Sequence, residues 1–316
     1  MHSAESAPRQ GGVQHVEIGA DRDGQRVDNA LAALLKGVPR SLVYRLVRKG
    51  QVRVNGRRVK PDTRLKEGDT LRVPPVRTAE KGHGQPPAGR IRAVEEAIIH
   101  EDRHFLVLDK PAGMASHGGS GIDHGAIELL RAARPGDMLE LAHRLDRDTS
   151  GVLVLARTRQ ALTGLQACIR EGRVTKQYLA LLTGRPARAR FDVNVPLRKS
   201  VMQGGERMVQ VAADGKPSLS FFRQVERYAD ASLMEVTLDT GRTHQIRVHA
   251  AHVGHPLAGD SKYGERETNR RFRQWGLGRL FLHASHFAFD LDGRTHAFSS
   301  PLPEELRAVL DALPRK

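Results

Sequence analysis

The densest run of reactive side chains in this 316-residue chain is His143-Arg144-Leu145-Asp146-Arg147-Asp148-Thr149-Ser150-Gly151. Asp146 offers a carboxylate nucleophile or base, the neighbouring cations keep it ionised, and Thr149 and Ser150 bring hydroxyls that can orient it. Residue types alone leave a plainer reading open, since Arg and Asp neighbours are common in surface turns held by ion pairs. His143, Asp146 and Ser150 are also the residue types of a hydrolase triad. Closeness in sequence is no sign of triad geometry, however, and Ser150 lacks a Gly-x-Ser-x-Gly elbow. Gly118-Gly119-Ser120-Gly121 suggests a phosphate cradle but has no Gly-Lys-Ser or Gly-Lys-Thr ending, so a loop at a site's rim is the better reading. His244, His249, His252 and His255 are metal-ligand types, yet no nearby cysteine completes a familiar set and His249 and His252 face differently from His244.

A reactive loop needs a rigid mount, and the apolar run Val152 to Ala156 directly after it reads as a buried strand. Phe105-Leu106-Val107-Leu108, Tyr178 to Leu182 and Leu233 to Leu238 read as further strands. Ala161 to Ile169 reads as a helix with Leu162, Leu165, Cys168 and Ile169 inward. A second helix starts near Gly241-Arg242-Thr243, with Thr243 as cap and Ile246, Ala250 and Val253 as its inward stripe. Many strands with few helices predict an α+β domain on a mixed, mainly antiparallel sheet, over residues 93–316. Gly, Pro, Lys and His without an apolar period predict a linker over 78–92, and the polar start predicts a flexible tail over 1–20.

Residues 21–77 form a separate small domain. They carry 15 of the 51 Lys and Arg and only six of the 36 Asp and Glu, in a chain of net charge +15. Val27, Leu31, Leu34 and Leu35, then Leu42, Val43, Leu46 and Val47, recur at helical spacing, which predicts two short amphipathic helices. The polar side of this pair carries Arg40, Arg45, Arg48 and Lys49. Asn55-Gly56 between alternating residues predicts a hairpin with a type I′ turn, just after Arg53. A solvated basic face would share this composition, but such a concentration of charge favours a polyanionic partner, nucleic acid first. A lone cysteine, Cys168, excludes an intramolecular disulfide and points to a reducing compartment. No apolar run approaches the roughly 18 residues that span a bilayer, and the amino terminus has no signal-peptide core, so a cytoplasmic protein without membrane contact is expected. No heptad or long apolar strip argues against a monomer.

Two resemblances sharpen these readings. Gly24-Gln25-Arg26-Val27-Asp28, Arg48-Lys49-Gly50-Gln51-Val52-Arg53-Val54-Asn55-Gly56 and Leu65-Lys66-Glu67-Gly68-Asp69 resemble an S4-type RNA-binding domain. That likeness implies an α/β fold whose Arg40, Arg45, Arg48, Lys49 and Arg53 hold phosphates without reading bases. His-Arg-Leu-Asp-Arg-Asp-Thr-Ser-Gly resembles the catalytic-loop motif of the RluA-type pseudouridine synthases. Lys176-Gln177-Tyr178-Leu179-Ala180 and Thr240-Gly241-Arg242-Thr243-His244-Gln245-Ile246-Arg247-Val248-His249 agree with the same family in order and approximate spacing. The resemblance implies an isomerase of RNA uridines that needs no cofactor. It assigns Asp146 as the essential carboxylate, Arg247 as its basic partner and Tyr178 as the ring that stacks on uracil and handles a proton. Arg144, with His143 and Thr149 in the same loop, is assigned to holding RNA with its target base extruded. Lys36-Gly37-Val38-Pro39, Pro74-Pro75-Val76-Arg77 and His117 to Gly121 point to the members that act on 23S ribosomal RNA of the large subunit. The alternatives are another RNA substrate or a non-catalytic ribosome-assembly factor.

Overall fold

Strands buried on both faces need continuous apolar runs, and those runs build the larger half of this protein. A computed structural model describes residues 12–35, 38, 40–76, 86–119, 123–201 and 207–315. The chain divides into two compact units, Met1–Gly84 and Gln85–Lys316.

The first unit holds β1 (Gln14–Glu17), α1 (Val27–Leu34), α2 (Arg40–Arg48), β2 (Arg53–Val54), β3 (Arg57–Arg58) and β4 (Thr70–Val73), its sheet ordered β1-β4-β2-β3. Val27 and Leu31 of α1 meet Val43, Leu46 and Val47 of α2 in one core with Leu65 and Leu71, as the helical spacing predicts. Asn55 and Gly56 take φ of 49° and 77°, the two positive values that a type I′ turn demands. Arg45, Arg48 and Lys49 lie exposed, opposite the buried face of α2, and Arg53 is exposed on β2. Arg40 begins α2, and its side chain lies outside the described residues. The expected flexible tail over 1–20 is corrected in part. β1 pairs antiparallel with β4, and Ile18 is buried in the core beside it.

The second unit runs α3 (Ala88–Glu96), β5 (Ile98–Glu101), β6 (Phe105–Lys110), α4 (Ala126–Ala133), β7 (Glu140–Leu141), β8 (Ser150–Ala156), α5 (Arg159–Arg170) and β9 (Val174–Thr183). It continues through β10 (Arg190–Asn194), β11 (Leu197–Val201), β12 (Arg207–Val211), β13 (Leu219–Arg227), β14 (Ala231–Leu238), α6 (Gln245–His252), α7 (Arg266–Gln274), β15 (Leu282–Leu291), β16 (Arg294–Ser299) and α8 (Glu304–Ala312). The main sheet is ordered β10-β13-β14-β9-β15-β8-β6-β5, antiparallel except where β15 meets β8. This is the mixed, mainly antiparallel sheet expected of an α+β domain. Along β6, Leu106 and Leu108 face α3 and α4 while Phe105 and Val107 face α5, so the alternating side chains feed two cores. The linker expected over 78–92 overlaps α3, which is a second correction. Ile91 and Val94 pack that helix onto the core, and Arg90 Nη2 donates to the His124 carbonyl at 2.9 Å. Among the described residues no helix is long and apolar enough to cross a membrane.

The parallel junction explains the glycine that closes the reactive motif. Gly151 has φ of 108°, and a Cβ there would collide with the backbone of Ala284 on β15. Gly151→Ala should therefore destabilise the unit by about 3 kcal/mol or more. Thermal melting should register this as a fall on the order of 10 °C, and a midpoint within about 2 °C of wild type would contradict it.

Candidate active site

The reactive loop is held by its backbone. Ser116 Oγ donates to the Leu145 carbonyl at 2.8 Å and accepts from the Leu145 N–H at 3.0 Å. The Gly113 N–H donates to the Arg147 carbonyl at 2.8 Å, and the Thr149 N–H to that of Asp146 at 3.2 Å. Lys110, fully buried at the end of β6, sends Nζ to the carbonyls of Pro111 (2.8 Å), Met114 (2.6 Å) and Arg147 (3.3 Å). Burial pulls its ammonium down to about 7, opposed by the Asp148 and Asp146 charges. None of these bonds uses the Asp146 carboxylate, which is left to the cavity.

That cavity encloses about 100 Å³ and is lined by Asp146, Arg144 and Thr149 from the loop, Tyr178 from β9, and Thr243, His244 and Arg247 at the start of α6. Three separate motifs converge there because β9 and β15 run side by side behind the loop while α6 packs Ile246 and Ala250 on Ala180 and Val236. Gln245 fixes the turn before α6. Its Oε1 accepts from the Arg242 N–H and Thr240 Oγ1, and its Nε2 donates to the Leu219 carbonyl and Ser220 Oγ. The cap expected at Thr243 is absent. His244 occupies the N-cap in the left-handed region at φ 54°, with no side-chain cap bond, and it is the Gln245 amide that closes the turn. Such a conformation costs a residue with a Cβ of order 1 kcal/mol, and here it keeps the imidazole aimed at the cavity.

Arg247 does not pair with Asp146. It forms a bidentate pair with Asp260, Nε to Oδ2 and Nη2 to Oδ1 both at 2.7 Å, with both side chains almost fully buried. The Lys262 and Tyr263 N–H groups also donate to Asp260, and the Arg247 guanidinium lies 5.1 Å from the Tyr263 ring centroid. Burial works against the Arg247 cation, but Asp260 outweighs it and holds the guanidinium above its ordinary value. Asp146 instead faces His244, whose Nε2 lies 3.8 Å from Oδ2. His244 Nδ1 is 2.8 Å from Tyr263 Oη, which accepts from the Val209 N–H at 3.0 Å. Burial, ahead of the opposing Asp146 charge, lowers the imidazole pKa and keeps it neutral at pH 7. A phenol that donates to Nδ1 would leave the ring proton on Nε2, the nitrogen that faces Asp146.

His143 departs from the expectation that it touches RNA. Its ring stacks on Phe287 at 4.4 Å and its Nε2 accepts from the Val154 N–H at 3.0 Å, so it anchors the loop to β8. Burial, then the Lys176 charge, pulls it down to about 3. Arg144 does face outward, with Nη1 3.2 Å from His117 Nε2, and Thr149 is nearly buried in the cavity wall. His244 carries no assigned role in its motif and is otherwise a metal-ligand type, and among the described residues no group of three His, Cys, Asp or Glu side chains is placed to hold a metal.

Comparison with known proteins identifies the family. The RNA pseudouridylate synthase profile matches residues 104–252 and the S4 domain profile residues 25–71. The chain is 50% identical over 306 residues to ribosomal large subunit pseudouridine synthase C of Yersinia pestis, covering 95% of this chain and 96% of that one. It belongs to the RNA pseudouridylate synthase family. The protein of the same name from Escherichia coli K12 is 48% identical over 308 residues, covering 95% and 97% of the two chains. Among solved structures, human RNA pseudouridylate synthase domain containing 1 aligns with a TM-score of 0.58 at 30% identity, covering 69% of this chain and 87% of that one. Human RNA pseudouridylate synthase domain containing 4 shares the fold at 24% identity and a TM-score of 0.59, covering 71% and 95%.

In a pseudouridylate synthase the position of Tyr178 carries a test. Burial, and then the Asp146 charge, push its phenol up, so it stays protonated at neutral pH and can only pass or lend a proton. Tyr178→Phe keeps the ring and should leave KM for RNA near wild type, while kcat falls by roughly 10² or more, the worth of a positioned proton-transfer group. Steady-state kinetics showing unchanged kcat would leave Tyr178 with stacking alone.

Proposed function

We propose that this protein isomerises specific uridines of 23S ribosomal RNA to pseudouridine, with Asp146 as the essential carboxylate and Tyr178 and Arg247 beside it. The observation that carries the reading is one cavity that gathers Asp146, Tyr178 and Arg247 from three distant motifs. The N1–C1′ bond of uridine breaks, the base turns, and a C5–C1′ bond forms. C5 gives up its proton and N1 takes one, so the step is an isomerisation with no net reactant. Asp146 attacks C1′ or assists charge separation there, Tyr178 stacks on the uracil and relays a proton, and Arg247 steadies the negative charge. Arg144 and Thr149 hold the extruded nucleotide at the mouth and wall of the cavity, because the glycosidic bond is out of reach in stacked RNA. The names of the relatives point to the large-subunit transcript, and we place the protein in the cytoplasm as a monomer.

The deciding experiment incubates purified protein with 23S transcript, with and without a chelator, and maps pseudouridine. New pseudouridines at discrete positions, unaffected by the chelator, are expected. RNA bound but unmodified would refute the reading in favour of an assembly factor.

The exposed Arg45 and Arg48 on α2 and Lys49 just after it, with Arg53 and Arg40 near them in the chain, supply phosphate contacts for the whole complex. Replacing Arg45, Arg48 and Lys49 together by Ala should weaken RNA binding and flatten the plot of log affinity against log salt by about 2 to 3 units. Filter binding across a salt series checks this, and an unchanged slope would take the S4-like unit out of RNA binding.

A further inference from the structure

A second cavity, of about 400 Å³, lies against the active site and is lined on one side by Asp148 of the reactive loop and by Arg247, which also lines the first cavity. Its other walls bring Arg273 from the end of α7, Arg279, Ser261 and Asn269. Gly113 and Gly278 add lining with open space where a Cβ would stand. Three guanidiniums around one hollow, against a single carboxylate, form a receptor for an anion with several oxygens. Two of them already have acidic partners: Arg247 has Asp260, and Arg279 Nη2 has Glu305 at 3.1 Å while also donating to Ser150 Oγ at 3.0 Å. Those bonds fix their directions in advance. Arg273 is exposed and, among the described residues, no acid pairs with it, although its helix neighbours Arg270 and Arg271 are paired with Glu267 and Asp230.

We propose that this second cavity is the subsite for a backbone phosphodiester beside the extruded uridine, with Arg273 as its free cation. The inference rests on the RNA-modifying reading above and deepens it. Because Arg247 lines both cavities and Asp148 of the reactive loop lines the second, the strand of a uridine seated in the first has within reach a hollow that is cationic and lined by glycines. Phosphate held at that place sets the depth and angle of the flipped nucleotide without reading its base. The Arg279 bond to Ser150 ties the phosphate side to the end of the loop that carries Asp146.

The test is steady-state pseudouridine formation on a large-subunit transcript, with RNA binding measured in parallel across a salt series. Arg273→Ala should raise KM roughly tenfold with kcat retained at saturating RNA, and should reduce the salt slope by about 1. Arg273→Lys should recover part of the affinity. Gly278→Leu, which fills the hollow, should also raise KM, and a thermal melt checks that it folds. Arg170→Ala, a distant exposed charge change of the same size, should match wild type. An oligonucleotide substrate with a neutral methylphosphonate at the linkage held there should lose affinity for wild type but lose little more for Arg273→Ala. Arg273→Ala with wild-type KM and salt slope, or a loss confined to kcat, overturns the subsite. Wild-type protein that makes no pseudouridine would instead overturn the reading beneath it, and Arg273 would then be judged from the binding series alone.

Discussion

Asp146→Asn should bind RNA with an affinity within about twofold of wild type and turn it over slower by a factor on the order of 10⁴ to 10⁶, the scale seen when a central catalytic group is removed. The expectation is specific because of how the loop is built. The backbone groups of residues 145–149 are held through Ser116, Gly113, Lys110 and the Thr149 N–H, and the side-chain pair within the loop, Arg147 with Asp148, leaves the Asp146 carboxylate out. The amide has the shape of the carboxylate, so the loop keeps its form while the charge facing His244 Nε2 is lost. Single-turnover mapping of pseudouridine, with binding measured on the same preparations, separates the two effects. Turnover within tenfold of wild type would remove Asp146 from the chemistry, and loss of binding equal to loss of turnover would make it an RNA contact.

What could be read before the fold was known follows from the range over which each feature is determined. The Asn55-Gly56 turn and the helix now given as Arg159–Arg170 were legible because φ preferences and apolar spacing act over a few residues. β1 was not, since Gln14–Glu17 offers one apolar residue and is recruited only by its pairing with β4. α3 was hidden by the Pro-Pro-Ala-Gly stretch that precedes its apolar pair, Ile91 and Val94. Within the site, the motifs located Asp146, Tyr178 and Arg247 at one cavity, yet they did not identify their partners. Asp260 and Tyr263 come from an irregular segment after α6, and nothing in their types marks them as the groups that hold Arg247 and His244. Lys110 was missed for a related reason. A lysine ending a strand normally lies in solvent, and only the carbonyls of two loops folding over it show that it is their common donor. His143 was misread because a histidine in a reactive motif suggests substrate contact, whereas its nitrogen is engaged by the backbone of β8.

The pair of Arg247 and Asp260 leads to the other large expected effect. Asp260→Ala should cost about 3 to 5 kcal/mol of stability, because it strands a buried guanidinium and two backbone N–H groups. Burial opposes the Asp260 charge, but the Arg247 bonds and the Lys262 and Tyr263 amides outweigh it and hold this carboxyl below its ordinary value. A depressed folded-state pKa means that the contribution is complete above the unfolded pKa, near 4, and disappears as pH falls through the lower folded value. The gap in thermal midpoint between wild type and variant should therefore be flat from pH 7 to about pH 5 and close in acid. A gap that widens in acid would give Asp260 the opposite sign. Stability and chemistry can then be separated by replacing both partners, Arg247→Met with Asp260→Leu, since a buried pair exchanged for apolar groups is often neutral in stability. The double variant should melt closer to wild type than Asp260→Ala, yet turn over slowly, because the cation has left the wall it shares with Asp146. Wild-type turnover in that variant would make the pair a purely structural clamp, and Asp146 would then work without the Arg247 cation, with His244 and Arg144 left beside it in the cavity lining.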